Sequence, residues 1–514
     1  MHNQSTEPTS WCAVQDAAAQ SPSPRHSGES PDCSAWPIPG EAGRRSVTAP
    51  GRLRGLAAHW LAPFAARGVR EADLMPRLGE NRSHCDRRTP SRICPLVVVR
   101  KGEIFVYIPY TSRLFPERLP SCSGLGGNSP GGASMRRLLT VLRFLRSTLG
   151  TLRPSQRTDF ALRVCVDEFC HGMFEDRPLP WLTTVSCAGT PALPAVQWNT
   201  LKGRDPNLSE WDAVLKEQAA LQPLANATWA CRTPKAVWRG SASEPFTTNM
   251  QWTGNGTLER LMVGKGRWRF QGRLALLWQH CQHPTLLDVH MRGLQGATPG
   301  VGRSLLAADS QYARCVARLG VHKQKVLSLS EQARAFRYLV HVEGVGGWAD
   351  RLKHLLLSHA VVLKQQMGVS EWFEPLLEPF VHYVPVSSKL LNISDAVHWL
   401  NQHEVQAQAI ARAAAALGLE VLAVGALSTY MENLLVGYMR LYRDARAVPA
   451  LLARLPSAEV VRFDCGQAEE EGRRGGYDCS FVHVASGKRA ESVLAAADLD
   501  GSPLARIERP AGWC

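Results

Sequence analysis

The sequence lacks the signatures that mark several large protein classes. None of its 14 cysteines falls in a CxxC pair. Cys165 and Cys170, in VCVDEFCHG, have no second pair at ligand spacing, which argues against a zinc site. No apolar run reaches the roughly 20 residues that cross a bilayer. The nearest stretch, LRGLAAHWLAPFAARGV (Leu53–Val69), is short and is interrupted by Arg54, His59 and Arg67. Residues 1–50 are rich in Ser, Pro and Gly, show no signal-peptide apolar core and read as disordered. The final AGWC carries no retrieval signal, and no internal repeat stands out.

Charge of one sign is also missing from most of the chain. Of the net +14, residues 1–160 hold +10, from 22 Lys and Arg against 12 Asp and Glu. The remaining 354 residues hold 37 against 33 and are nearly neutral. A near-neutral body argues against nucleic acid as partner, and the basic N-terminal region reads as a solvated arm. Six N-glycosylation triplets, starting at Asn3, Asn81, Asn207, Asn226, Asn255 and Asn392, lean with the cysteine count towards an oxidising secretory lumen. Membrane contact would then come through an N-terminal region that this sequence does not display.

What is present is ordinary globular composition, 45% hydrophobic and 20% charged, with length for two or three domains. Ile93–Tyr110 reads as a hairpin turning at Arg100-Lys101-Gly102, and Met135–Leu152 as a helix. Short strands follow at Phe160–Val166, Trp181–Val185, Ala195–Trp198, Ala236–Trp238, Lys325–Leu329, Leu339–Val342 and Ala360–Lys364. Helices fall at Gly272–Cys281, Ser330–Tyr338 and Arg351–Ser358, and long ones at Ile393–Leu417 and Leu422–Leu441. Alternating strands and helices imply an α/β fold of two Rossmann-like halves around a cleft. The expected division is a poorly ordered basic arm over 1–90, an N-terminal Rossmann-like lobe over 91–290, a C-terminal one over 291–442 and a tail over 443–514.

The richest segment is Val342–Pro385: a glycine-rich turn, a helix opening with Arg351 and Lys353, then an apolar strand. Backbone N–H groups and a helix start carrying cations suit a phosphate. With PKAVWRGS (Pro234–Ser241), GWADRLKHLL (Gly347–Leu356), VVLKQ (Val361–Gln365), EWFEPLLEPFVHYVPV (Glu371–Val386) and YMENLL (Tyr430–Leu435), the chain resembles the capsule-associated, KDEL-motif-associated glycosyltransferases. That group includes the Rumi-type protein O-glucosyltransferases and fungal capsule xylosyltransferases. The resemblance covers about residues 95–440 and is dense over 323–400.

The resemblance implies a GT-B-like fold and inverting transfer of glucose or xylose from a UDP-sugar to a protein Ser/Thr or glycan hydroxyl, with no obligatory metal. It assigns Asp167, at the end of FALRVCVD, as general base, with Glu168 as alternative; the family often has an aromatic and Pro after this Asp, where Glu168 and Phe169 stand here. It places Arg239 and Ser241 of WRGS at the sugar nucleotide, and the loop Gly344, Gly346, Gly347, Trp348, Ala349 and Arg351 at the diphosphate. Two departures accompany the match. Ala349 stands where the family has Ser, and Ser243-Glu244-Pro245-Phe246 lacks the Arg that follows WRGS in the glucosyltransferase branch, leaving Arg260 or Arg273 to replace it. Trp372, Phe373 and Tyr383 are either base-stacking or core aromatics, and Lys353 either ligand or helix surface. Asp498-Leu499-Asp500 mimics a metal-binding DxD but lies beyond the matched region. A non-catalytic UDP-sugar or glycan binder on the same scaffold is the alternative reading.

Overall fold

The computed structural model describes residues 49–74, 94–107, 133–166, 178–187, 191–197, 200–201, 209–241, 250–252, 258–260, 272–292, 314–315, 327–344, 349–457, 460–467 and 477–484. The helices are α1 (Ala49–Leu61), α2 (Ala133–Thr151), α3 (Ser209–Ala227), α4 (Gly272–Gln282), α5 (Leu329–Ala335), α6 (Leu352–Leu356), α7 (Ile393–Gln402), α8 (Glu404–Val421), α9 (Val424–Leu441) and α10 (Val448–Arg454).

The first sheet starts from the expected hairpin, β1 (Leu96–Arg100) and β2 (Glu103–Tyr107). Lys101 and Gly102 both take positive φ, 50° and 80°, the geometry that suits a two-residue hairpin turn. β3 (Phe160–Val164), β4 (Trp181–Thr183) and β6 (Leu193–Pro194) add parallel strands on one side. β15 (Val460–Gln467) and β16 (Tyr477–His483) add antiparallel strands on the other, giving the order β16-β15-β2-β1-β3-β4-β6. The hairpin β8 (Met250–Trp252) and β9 (Leu258–Arg260) stands apart from it.

The second sheet is wholly parallel: β7 (Thr233–Ser241), β10 (Leu287–Arg292), β11 (Phe336–His341), β12 (Val361–Gln365) and β14 (Val384–Val386), in the order β10-β7-β11-β12-β14. Both faces are apolar, as a parallel sheet requires. Trp238, Tyr338, Val340, Val361 and Leu363 pack with α4 and α7, while Val237, Leu339 and Val362 pack with α6, α8 and the core of the first sheet. Two lobes of α/β structure follow, as the GT-B-like resemblance implied.

Several boundaries differ from the sequence-based expectation. The arm over 1–90 contains α1, whose Leu53, Leu56, Ala57 and Trp60 are buried against α9. Trp60 Nε1 donates 2.8 Å to the Trp372 carbonyl, so this helix joins the core across 312 positions of sequence. The tail over 443–514 supplies β15 and β16 to the first sheet, because β2 would otherwise be an open apolar edge. β7, α4 and β10 belong to the second sheet, so the lobe boundary falls near residue 230 rather than 290. The strand expected at Ala195–Trp198 lies earlier, at Leu193–Pro194.

The helix expected at Ile393–Leu417 breaks at His403, which leaves helical geometry at φ −122° and ψ 58°. The helix expected at Ser330–Tyr338 ends at Ala335. Its start is a capping box, in which Ser328 Oγ accepts from the Glu331 amide at 3.2 Å and Glu331 accepts from the Ser328 amide at 2.7 Å. Pro120–Ala133 lies almost wholly outside the described residues; of the strand expected at Lys325–Leu329, Leu327–Leu329 are described and form no strand, since Ser328 caps α5 and Leu329 opens it.

Trp60→Ala removes both a buried indole and its hydrogen bond. The expected cost is about 3–5 kcal/mol, read as a lower denaturant midpoint in urea unfolding; a midpoint unchanged from wild type would show that α1 does not belong to the cooperative core.

Candidate functional site

The strand order reverses at β7. The chain leaves β7 for β10 on one side and later returns as β11 on the other, so the crevice at the C-terminal ends of β7 and β11 is a topological switch point. Trp238 lies there, completely buried, with its Nε1 lacking a hydrogen-bond partner among the described residues. Two guanidinium groups converge on its ring, Arg351 at 5.1 Å and Arg273 at 5.5 Å from the centroid.

The backbone makes room for this cluster with glycine. A Cβ at Gly240 would meet the Trp238 ring at 2.5 Å and Arg351 Nη2 at 3.2 Å. Gly272, at φ +34°, lies against Glu343, where a Cβ would meet Cγ at 2.8 Å. The next residue, Arg273, donates from Nε to the Glu343 carbonyl at 3.1 Å. Arg351 Nη1 donates to the Arg239 carbonyl at 3.3 Å. Burial, aided by the neighbouring Arg273 charge and opposed by Asp350, lowers the Arg351 guanidinium from 12.5 to about 9. A partly buried cation held beside another cation gains from an incoming anion, which restores its preference for the charged form.

The expected site residues separate into three groups. Gly344, Ala349 and Arg351 are described, and the first two are buried around the end of β11. Asp167, Gly346, Gly347 and Trp348 lie outside the described residues, as do Glu168 and the DxD triplet. Arg239 and Ser241 occupy the end of β7, where Ser241 pairs with Arg292 of β10. The Arg239 guanidinium is committed to structure: it forms an ion pair with Asp288 at 2.9 Å and donates to the Asp288 carbonyl at 2.8 Å and the Trp238 carbonyl at 3.1 Å.

Arg273, one of the two residues that could replace the Arg following WRGS, packs on the Trp238 ring. The sequence offered it only as one of two substitutes, and it stands 32 positions beyond Ser241. Helix α6 is only five residues long, so the support for an anion comes from the guanidinium groups more than from a helix dipole.

The open alternatives also resolve. Trp372 and Phe373 are core residues, each 1% exposed, and Trp372 lies 4.6 Å from the ring of Tyr430. Tyr383 is half-buried beneath the Lys364 ammonium, 5.6 Å from its ring centroid. Lys353 is buried, donates to Gln197 Oε1 at 3.2 Å and forms an ion pair with Asp350. Gln197 in turn donates to the buried carboxyl of Glu371. Burial pushes that carboxyl well above its ordinary range; nearby Glu374 adds to the effect and Lys353 opposes it. Val166, the residue before Asp167, lines a small cavity with Val164, Thr183, Thr184, Val196 and Gln197 at the ends of β3, β4 and β6.

Residues 304–484 match the family model described as Glycosyl transferase family 90. That segment, about a third of the chain, is similar to a glycosyl transferase family 90 domain. The matched span begins ahead of α5 and runs through β16, so it includes the C-terminal hairpin that completes the first sheet. Mouse Protein O-glucosyltransferase 1 is 32% identical over 105 residues, 20% of this chain and 26% of that protein. Human Protein O-glucosyltransferase 3 is 23% identical over 265 residues, 49% of this chain and 43% of that protein. The chain thus spans less than half the length of these relatives. The structure of Anabaena Alr3699/HepE in complex with UDP-glucose aligns with 46% of this chain and 52% of its own, at 13% identity and a TM-score of 0.25.

His341, at the end of β11 in this domain, is 1% exposed, and its Nδ1 has no hydrogen-bond partner among the described residues. Burial holds its imidazole well below 6.5, and Lys364, Arg351 and Arg273 push the same way. Below pH 6.5 the unfolded chain takes up a proton that the folded state refuses, so stability falls as pH falls. His341→Asn should flatten that acid limb by about 1.4 kcal/mol per pH unit, read from urea unfolding between pH 6.5 and 5; an unchanged slope would show that His341 is charged in the native state.

Proposed function

We propose that the protein is an inverting glycosyltransferase that moves glucose or xylose from a UDP-sugar to a protein Ser/Thr or a glycan hydroxyl. The convergence of Arg351 and Arg273 on Trp238 at the switch point carries this reading. Their guanidinium groups would meet the diphosphate, with backbone groups of Ser241 and Gly344 beside it and Ala349 packed beneath. Asp167, one residue beyond the cavity-lining Val166, would take the acceptor proton as the hydroxyl oxygen attacks the anomeric carbon. The bond to UDP breaks on the opposite face, and the charge that develops on the departing phosphate meets the arginine pair. Arg239 supports this site through its carbonyl, which holds Arg351.

The non-catalytic reading keeps one observation in its favour: buried Ala349 offers no hydroxyl where the family has Ser. Arg273 of α4, 5.5 Å from the Trp238 ring centroid, weighs against the other, the missing Arg after WRGS. A secretory lumen as the working compartment is supported by the disulfides Cys94–Cys165 and Cys281–Cys315. The Asn392 triplet adds nothing to that case, because its side-chain nitrogen is buried and its Oδ1 accepts from the Ser387 amide at 2.9 Å.

Calorimetric titration with UDP and UMP, and hydrolysis of a panel of UDP-sugars, test the assignment. Arg351→Met and Arg273→Met should each weaken UDP binding by about 10- to 100-fold, the loss of one charge-assisted contact, with a smaller effect on UMP. Asp167→Asn should retain UDP affinity and lose about 10²- to 10⁴-fold in turnover. UDP binding with no turnover of any UDP-sugar by the wild type would favour the binding-protein reading; no UDP binding at all would reject both.

A further inference from the structure

Three polar side chains are buried together where the lobes meet. Gln197, three residues beyond β6 of the first sheet, is 2% exposed; Lys353 of α6 and Glu371 are each 1% exposed. The Gln197 amide is read from both ends, its oxygen accepting from Lys353 Nζ at 3.2 Å and its nitrogen donating to Glu371. The other Glu371 oxygen, Oε1, is buried with no partner among the described residues. Around this knot the lobes are stitched in two further ways. β5 (Ser186–Cys187) pairs with β13 (Val369–Ser370), and Tyr430 Oη donates to the Pro194 carbonyl at 2.6 Å.

Buried charges and amides give little net stability compared with apolar side chains of the same size, but they tolerate only one alignment. This alignment spans the crevice. Lys353 lies two residues after Arg351 on the same turn and helix. Gln197 lines the same cavity as Val166, which directly precedes Asp167. An amide meets both demands at this point, accepting from Lys353 and donating to Glu371, and an apolar group would lose both contacts.

We propose that Gln197, Lys353 and Glu371 are positioning residues that hold the Arg351-bearing helix in register with the strand end leading to Asp167. The proposal rests on the glycosyltransferase reading for the importance of that register, but not for the existence of the tie. In this role the three act through the placement of α6 rather than by contact with the diphosphate.

The test uses the full chain carrying Gln197→Leu, and a triple variant, Gln197→Leu with Lys353→Met and Glu371→Leu. Hydrogen exchange reads the tie itself. Gln197→Leu should raise exchange at least tenfold over Leu352–Leu356 and leave the β7 and β11 amides unchanged; equal protection in α6 would overturn the proposal whether or not the wild type turns over a UDP-sugar. Kinetics reads the role. The triple variant should regain wild-type melting temperature and keep UDP Kd within about threefold, while kcat for UDP-sugar hydrolysis stays at least tenfold down. Full recovery of kcat along with stability would reduce the three residues to packing and overturn the proposal. A wild type that neither binds UDP nor hydrolyses UDP-sugars would instead reject the glycosyltransferase reading, with hydrogen exchange still deciding the tie.

Discussion

The five-stranded parallel sheet can exist only with both faces covered, because its central strands β7, β11 and β12 are apolar on both sides. That requirement sends the chain first to one flank of β7 and then to the other. The reversal opens a crevice at the ends of β7 and β11, beside which Arg351 and Arg273 pack on Trp238. Trp238 lies under this point as a rigid platform, and Gly240 and Gly272 are the positions where the backbone yields space to it and to Glu343. A side chain at either glycine would displace the indole, the carboxylate or the arginines beside them.

Electrostatics then decides what the crevice can accept. Arg239 is neutralised by Asp288, whereas Arg351 lies beside Arg273 and is lowered to about 9. The neutral body of the chain matters here as well: with charge balanced elsewhere, the concentration of cations at one strand end is a local feature rather than part of a general basic surface. His341, neutral beneath the same cations, avoids adding a third charge to them.

Much of this was legible in the sequence because the informative patterns are local. The hairpin at Arg100-Lys101-Gly102, the strand before WRGS, the helix after the glycine run and the strand VVLKQ each follow from periodicity and turn chemistry within a few residues. The resemblance carried by WRGS, GWADRLKHLL and EWFEPLLEPFVHYVP also agrees with the family 90 match. What escaped is non-local. Arg239 follows a strand in a family motif, yet its partner Asp288 is 49 positions away and belongs to a neighbouring strand. Trp372 and Phe373 are aromatic residues of a matched motif, yet α1 and α9 close over them. Residues 49–61 follow a Ser- and Pro-rich stretch, and only the apolar face of α9 gives their leucines and Trp60 somewhere to go.

The sequence by itself determined the α/β class, the family resemblance and the presence of an arginine at the start of α6, since these depend on residue type and short spacing. The tertiary structure alone decided which arginines pack on Trp238, that the C-terminal hairpin completes the first sheet, and that Gln197 bridges Lys353 and Glu371. Those outcomes depend on which strands become neighbours, and neighbours in a crossover sheet are chosen by the burial of whole faces rather than by any segment's own pattern.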